Sequence, residues 1–146
     1  MSNKPLSEAL KNLLADYYML YLKTQNYHWN VEGPNFHGLH MQFEEQYKNL
    51  AEAIDTVAEH IRGLGEKAPG TFEAYAKSTS LKPGNENASA KDMLEDVLVD
   101  HETLFKSLQN TLEISQKHGD EVVAGFIIER MTYHRKTIWM LKSSQK

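Results

Sequence analysis

Between Gly38 and Gly63 the chain runs without a glycine or a proline, and its apolar residues recur at helical spacing. Phe36, Leu39, His40, Phe43, Tyr47, Leu50, Ile54 and Ile61 fall on one stripe, the mark of a long amphipathic helix. The spacing predicts one straight element that starts near Asn35 and stops at Gly63 and Gly65, residues suited to a helix C-terminus. Three other segments carry the same period. One runs from about Leu6 to Asn30, with Leu6, Leu10, Leu13, Leu14, Tyr17, Tyr21 and His28 on its stripe and Ser7 as its expected N-cap. Ser89 is placed to cap another that reaches about Lys117, with Leu94, Leu98, Phe105, Leu108 and Leu112 inward. The last covers about Glu121 to Lys142, with Phe126, Ile127, Met131, Ile138 and Leu141 inward. The sequence shows no strand alternation, heptad seam or internal repeat.

Two of the links are short, at Val31-Glu32-Gly33-Pro34 and His118-Gly119-Asp120. The third, from Glu66 to Ala88, is long and rich in Pro, Gly, Ser, Thr and Asn, with Thr71 to Lys77 as a short helix inside it. A link of that length either contains structure or spans a distance. The expectation is an all-α, single domain over residues 1–146: a four-helix bundle of ferritin-like connectivity. Its long central crossover, containing the short helix, lets the second and third long helices lie parallel. A chain of 146 residues is enough for one core and too short for two. A net charge of −4 offers no electrostatic footprint for nucleic acid or an anionic membrane. The absence of cysteine excludes disulfides, thiolate metal sites and a cysteine nucleophile. The opening MSNKPLSEALKNLL lacks a basic start followed by a long apolar run, so no signal peptide and no membrane span are expected, and the expected location is cytoplasmic.

The long second segment also carries unusual chemistry. His40, Glu44, Tyr47, Ala51, Asp55 and Glu59 step by three or four residues and so share one face. Imidazole and carboxylate at that spacing suit a first-row metal such as iron, zinc or manganese. His40 with Glu44 makes one half-site, Asp55 with Glu59 makes another, and the Gly-Pro turn brings His28 towards His40. His40 and Asp55 lie about 22 Å apart along a straight helix, too far for one ion. The halves can meet only if a second copy of the helix packs antiparallel across a two-fold axis, which creates two equivalent sites. Glutamate stands three residues before none of the seven histidines, which disfavours the Glu-x-x-His pairs of an intrasubunit di-iron centre; the HExxH motif is missing too.

The stretch Tyr27-His28-Trp29-Asn30-Val31-Glu32-Gly33-Pro34-Asn35-Phe36-His37-Gly38-Leu39-His40, followed by Asp55-x-x-Ala58-Glu59, resembles the signature of the Dps mini-ferritins. The resemblance continues through Gly70-Thr71 to Ile138-Trp139-Met140-Leu141 and so covers almost the whole chain. It implies a homo-oligomer, two-fold dimers assembled into a hollow dodecamer. It also implies a ferroxidase site between subunits, with His28, His40 and Glu44 from one and Asp55 and Glu59 from the other. In that family Fe(II) binds there and is oxidised to Fe(III), preferably by hydrogen peroxide, and ferric mineral collects inside. Trp29 resembles the tryptophan beside the family's centre. The chain departs from the family pattern at Ala58-Glu59-His60, where many members read Ala-Glu-Arg. It departs again at Gly125, where an acid of the three-fold pore is common; Asp120, Glu121 and Glu129 are the remaining pore candidates. It also lacks a Lys/Arg-rich tail, so DNA binding is not expected.

Other features have plainer readings. His101 and His134 sit on inward faces without a spaced carboxylate and read as core residues; His60 and His118 read as surface. Trp139 reads as a packing residue, and the acids near residue 120 as helix N-terminal charges. Two further readings of the chain are a DNA-compacting protein, for which the basic tail is missing, and a shell that binds zinc or another divalent ion.

Overall fold

Pro5, rather than Ser7, sets where the first helix begins. In the computed structural model, which describes residues 2–146, α1 spans Lys4–Asn30 with Pro in its opening turn, where a fixed φ costs nothing. Ser7 therefore lies inside the helix. Its hydroxyl donates to Glu66 Oε2 at 2.6 Å, and Lys11 Nζ lies 2.7 Å from Glu66 Oε1. The expected cap is instead a clamp on the start of the crossover. The other elements are α2 (Phe36–Gly63), the short α3 (Phe72–Ser78), α4 (Ala90–Lys117) and α5 (Glu121–Ser144), and no strand occurs among the described residues. Thr71, Ser89 and Asp120 cap α3, α4 and α5, each accepting from a backbone N–H three residues on. No helix among the described residues is long and apolar enough to cross a membrane.

Contacts along α1 fix the topology. The crossover meets α1 first at Ser7 and Lys11, through Glu66. Halfway along, Asp16 accepts from Thr79 Oγ1 and Ser80 N, both at 2.7 Å. At the far end Tyr27 Oη accepts from Asn85 N at 3.2 Å. The crossover thus runs the length of α1 and returns the chain to the end where α2 began. Tyr27 and Lys23 then meet Asp96 near the start of α4, while Asn12 and Asp16 face Ser107 and Thr111 across a cleft further along it. Both α2 and α4 therefore run opposite to α1 and parallel to each other, the arrangement the long crossover was expected to allow. Along α5, His60 meets Phe126 at one end and Ser144 meets Gln42 at the other, so α5 runs opposite to α2.

The core between them is built from Leu10, Leu14, Tyr17, Leu20, Phe43, Leu50, Val57, Ile61, Val97, Leu104, Leu108 and Ile127, all sealed from solvent. Polar groups are buried among them in two networks. Lys23 Nζ lies between Asp96 Oδ1 at 3.1 Å and Asp100 Oδ2 at 2.7 Å. Gly84 passes so close that a Cβ there would stand 2.9 Å from Lys23 Cγ. In the second network Arg130 Nε donates to Tyr17 Oη at 3.0 Å, Tyr17 bonds His134 Nε2 at 2.7 Å, and His134 Nδ1 bonds His101 Nδ1 at 2.8 Å. Both histidines are core residues as expected, and burial holds each in its neutral form, His101 down to about 3 and His134 well below its usual value. Trp139 departs from expectation. Successive helical positions turn by about 100°, so Ile138 and Leu141 face the bundle while Trp139 points outward, 64% exposed.

Candidate metal centre

The turn between α1 and α2 makes the site. Val31 is extended and ends α1, and Gly33 at φ 124 lets the chain double back before Pro34. The last turn of α1 thereby lies against the first turns of α2. His28 Nδ1 bonds the carbonyl oxygen of His40 at 2.8 Å, and His40 Nδ1 bonds that of His28 at 2.7 Å. Because a carbonyl only accepts, each Nδ1 carries a proton, which leaves each Nε2 as the ring nitrogen that can bind a metal. The two rings stack 3.8 Å apart at 15°. One of these bonds also satisfies a carbonyl in the final turn of α1, which has no partner within the helix.

Surrounding groups hold the pair. Phe36 was placed on the buried stripe of α2, but it lies on the surface and stacks against His40 at 5.1 Å. Tyr47 meets the His28 ring edge-on at 5.2 Å. Glu44, one turn beyond His40, brings Oε1 to 3.8 Å from His28 Nε2, and its other oxygen lies 3.4 Å from Lys48 Nζ. Two imidazoles with a carboxylate near one of them are donor types that suit a divalent first-row ion such as ferrous iron or zinc. Carbonyl acceptors behind metal-ligating imidazoles are a recurrent way of fixing the ring and its tautomer. No signal short of the turn geometry reveals these reciprocal bonds in the sequence.

Asp55 and Glu59 stand four residues apart on α2, exposed and distant from the histidines. Among the described residues, no three His, Asp or Glu side chains come close enough to hold an ion within one chain. The chain stacks His28 on His40, sets Glu44 3.8 Å from His28, and leaves Asp55 and Glu59 exposed. Trp29, beside His28 in sequence, also points outward, 61% exposed. Of the pore candidates, Asp120 spends one carboxylate oxygen on Val123 N at 3.0 Å as a cap, while Glu121 and Glu129 are exposed.

The ferritin-like domain family matches residues 7–145. The chain is 34% identical over 141 residues to the DNA protection during starvation protein 2 of Bacillus anthracis, with 97% of each chain covered. The fold superposes with a TM-score of 0.96 on a Dps protein from Bacillus brevis at 30% identity, covering 99% of this chain and 97% of that one. It matches equally, at TM-score 0.96 and 30% identity, a Dps protein from Vibrio cholerae O1 described as a member of a broad superfamily of ferritin-like diiron-carboxylate proteins; 99% of this chain and 91% of that one are covered.

Proposed function

Since the chain belongs to the Dps family of ferritin-like proteins, we propose that it takes up ferrous iron, oxidises it and stores the ferric product, protecting its cell from oxidative damage. Fold alone does not carry an activity, so the reading rests on the site. The observation that carries it is the stacked His28–His40 pair, locked by reciprocal Nδ1–carbonyl bonds that leave each Nε2 unengaged by them, with Glu44 3.8 Å from His28 Nε2. That half-site takes ferrous iron as substrate, and Asp55 and Glu59 of the partner subunit complete it across a two-fold axis. Hydrogen peroxide is the oxidant: it accepts one electron from each of two ferrous ions and leaves as water, so no hydroxyl radical is released. Ferric ions then hydrolyse and collect as mineral within a shell of twelve subunits in the cytoplasm.

The surface favours assembly. Phe72 is 79% exposed, and Leu22, Trp29, Phe36, Val122, Ile128 and Trp139 are open as well, on helices at several sides of the bundle. Leu22 and Phe72 share one apolar cleft with Met19 and Pro83, and a contiguous exposed apolar patch of this kind marks an interaction surface. The net charge of −4 speaks against gripping DNA phosphates, so protection of DNA works here through removal of iron and peroxide.

The test is anaerobic ferrous oxidation started by hydrogen peroxide, on protein sized by light scattering. A shell near twelve times 16.7 kDa should oxidise iron far faster than a protein-free control. The His28→Ala/His40→Ala pair should lose that rate while remaining assembled. An unchanged rate in the double variant would remove the site assignment. Zinc binding with no iron oxidation would favour a divalent-ion store instead.

A further inference from the structure

Four of the seven tyrosines form a row that begins at the metal-site histidine. Tyr47 touches His28, with ring centres 5.2 Å apart. Tyr21 follows at 6.1 Å from Tyr47, and Tyr18 at 6.0 Å from Tyr21. Tyr75 ends the row, stacked on Tyr18 at 4.6 Å and 15°. The row is assembled from three helices: Tyr18 and Tyr21 share a face of α1 at i, i+3, Tyr47 comes from α2 and Tyr75 from α3. All four rings are half-buried and lie outside the sealed core, at positions where leucine or phenylalanine would supply the apolar contact but not the bonds from the Tyr75 hydroxyl to Pro69 O and from Gln25 Nε2 to the Tyr21 hydroxyl. What distinguishes a phenol from those side chains is that it can give up an electron together with its proton. Electron exchange between rings falls steeply with separation, and each neighbour in this row is in or near contact.

We propose that Tyr47, Tyr21, Tyr18 and Tyr75 form a relay that draws one-electron oxidising equivalents away from His28 and rests them on the stacked Tyr18–Tyr75 pair. The proposal rests on the ferroxidase reading, because iron and peroxide supply the oxidant. When only one ferrous ion is bound, peroxide takes one electron from it and splits into hydroxide and hydroxyl radical. The radical takes a hydrogen atom from the Tyr47 hydroxyl and becomes water, leaving a tyrosyl radical. At each transfer one electron passes to the oxidised ring from its neighbour; the neighbour's phenolic proton leaves to water, and the ring being reduced takes one up. The unpaired electron comes to rest on Tyr18 and Tyr75, where two parallel rings share it. A second ferrous ion then returns one electron, with one proton from water, and becomes ferric. The sum is two ferrous ions oxidised per peroxide, with no hydroxyl radical escaping, even though the ions arrived one at a time. Trp29, which points outward from the neighbouring position, is not part of this row.

The test uses the assembled protein loaded with less than one ferrous ion per site, mixed with peroxide and frozen rapidly for electron paramagnetic resonance. A tyrosyl signal is expected in the wild type, and a second addition of ferrous iron should discharge it. Tyr21→Phe keeps the ring but removes the phenol, together with the hydroxyl's bond from Gln25 Nε2 at 3.2 Å. It should leave the initial rate of iron oxidation unchanged while oxidation products, located by mass spectrometry, shift from Tyr18 and Tyr75 to Tyr47. A second arm needs no iron. One-electron oxidation of the metal-free assembly by pulse radiolysis should concentrate products on Tyr18 and Tyr75 in the wild type and several-fold less in Tyr21→Phe. Iron oxidation without a tyrosyl radical, or products at Tyr18 and Tyr75 that ignore the Tyr21 substitution, would overturn the relay alone. Absence of any iron oxidation above the protein-free control would overturn the ferroxidase reading, and the iron-free arm would still decide whether the row conducts.

Discussion

Replacing Lys23 by methionine should destabilise the protein strongly at pH 8 and much less at pH 5. Lys23 is 2% exposed, and its ammonium faces the carboxylates of Asp96 and Asp100. Asp96 keeps about a third of its side chain in water, but Asp100 is almost sealed. Burial pushes the Asp100 carboxyl up from 3.8 to about 6 even with Lys23 opposing the rise. That rise corresponds to roughly 3 kcal/mol against the charged form. Methionine preserves much of the side-chain volume and removes the cation. An uncompensated buried charge of this kind costs about 3–5 kcal/mol. The sign with pH follows from the raised value. Because the folded pKa lies above the unfolded one, the penalty is complete above the folded pKa and absent below the unfolded value. In the wild type that window lies between 3.8 and about 6. Without Lys23 its upper edge moves higher, so acid relieves the variant over a wider range. The deficit should therefore be about 1–3 kcal/mol smaller at pH 5 than at pH 8. In thermal unfolding at fixed protein concentration the midpoint should drop on the order of 10 °C at pH 8, with partial recovery at pH 5. An equal loss at both values would mean that the cost is one of shape, and the charge argument would be wrong.

Gly84→Ala tests the same corner sterically. Its Cβ would stand 2.9 Å from Lys23 Cγ, and the forced shift should cost about 1–3 kcal/mol in chemical unfolding; a neutral result would show that the crossover yields freely there. Asp16→Ala removes the acceptor for Thr79 Oγ1, Ser80 N and Ser80 Oγ, and should loosen the crossover by about 1–3 kcal/mol. Hydrogen exchange should show lost protection around residues 78–81 with the ends of α1 unchanged, and uniform loss throughout the chain would refute a local tether. The buried histidines act in the opposite sense to Asp100. His101 and His134 resist protonation when folded but accept it when unfolded, so stability should decline as pH falls from 6.5 towards 3. Each contributes a slope of about 1.4 kcal/mol per pH unit, offset in part by Asp100 between about 6 and 3.8. His101→Leu should flatten that acid limb, and an unaltered slope would show that other groups control it.

The helices were legible because periodicity and punctuation agreed. Ser89, Thr71 and the glycines at 63, 65 and 119 mark boundaries by chemistry that is local to a few residues, and the structure places them where the pattern did. The misreadings have separate causes. Ser7 has the chemistry of a cap, but Glu66 claims its hydroxyl from a segment 59 residues away, and no local pattern carries that information. Lys23 and Asp100 were passed over because a charged residue on a helix is usually solvated. The clue lay in Lys23 standing one turn from both Leu20 and Tyr27 on the buried side of α1. Trp139 shows the reverse error, since a large aromatic in an apolar run suggests burial and the helix turns it outward.

The site divides in the same way between what spacing carries and what only three dimensions reveal. The separation of His40 from Asp55 was enough to exclude a site within one chain, because helix rise is a constant. In the proposed centre, the two imidazoles are oriented by the exchange of Nδ1–H bonds for each other's carbonyls, which depends on how two helix ends meet around Gly33. A histidine bonded this way has its tautomer set before any ligand arrives, so binding costs little rearrangement. Such preorganisation has a specific consequence at the turn. Gly33→Ala, which strains a φ of 124, should weaken metal binding by misaligning both rings even though residue 33 touches no ligand. Calorimetric titration with zinc, which needs no oxidant, should show weaker binding in an assembly of unchanged size. Wild-type affinity in that variant would mean that the turn does not position the pair.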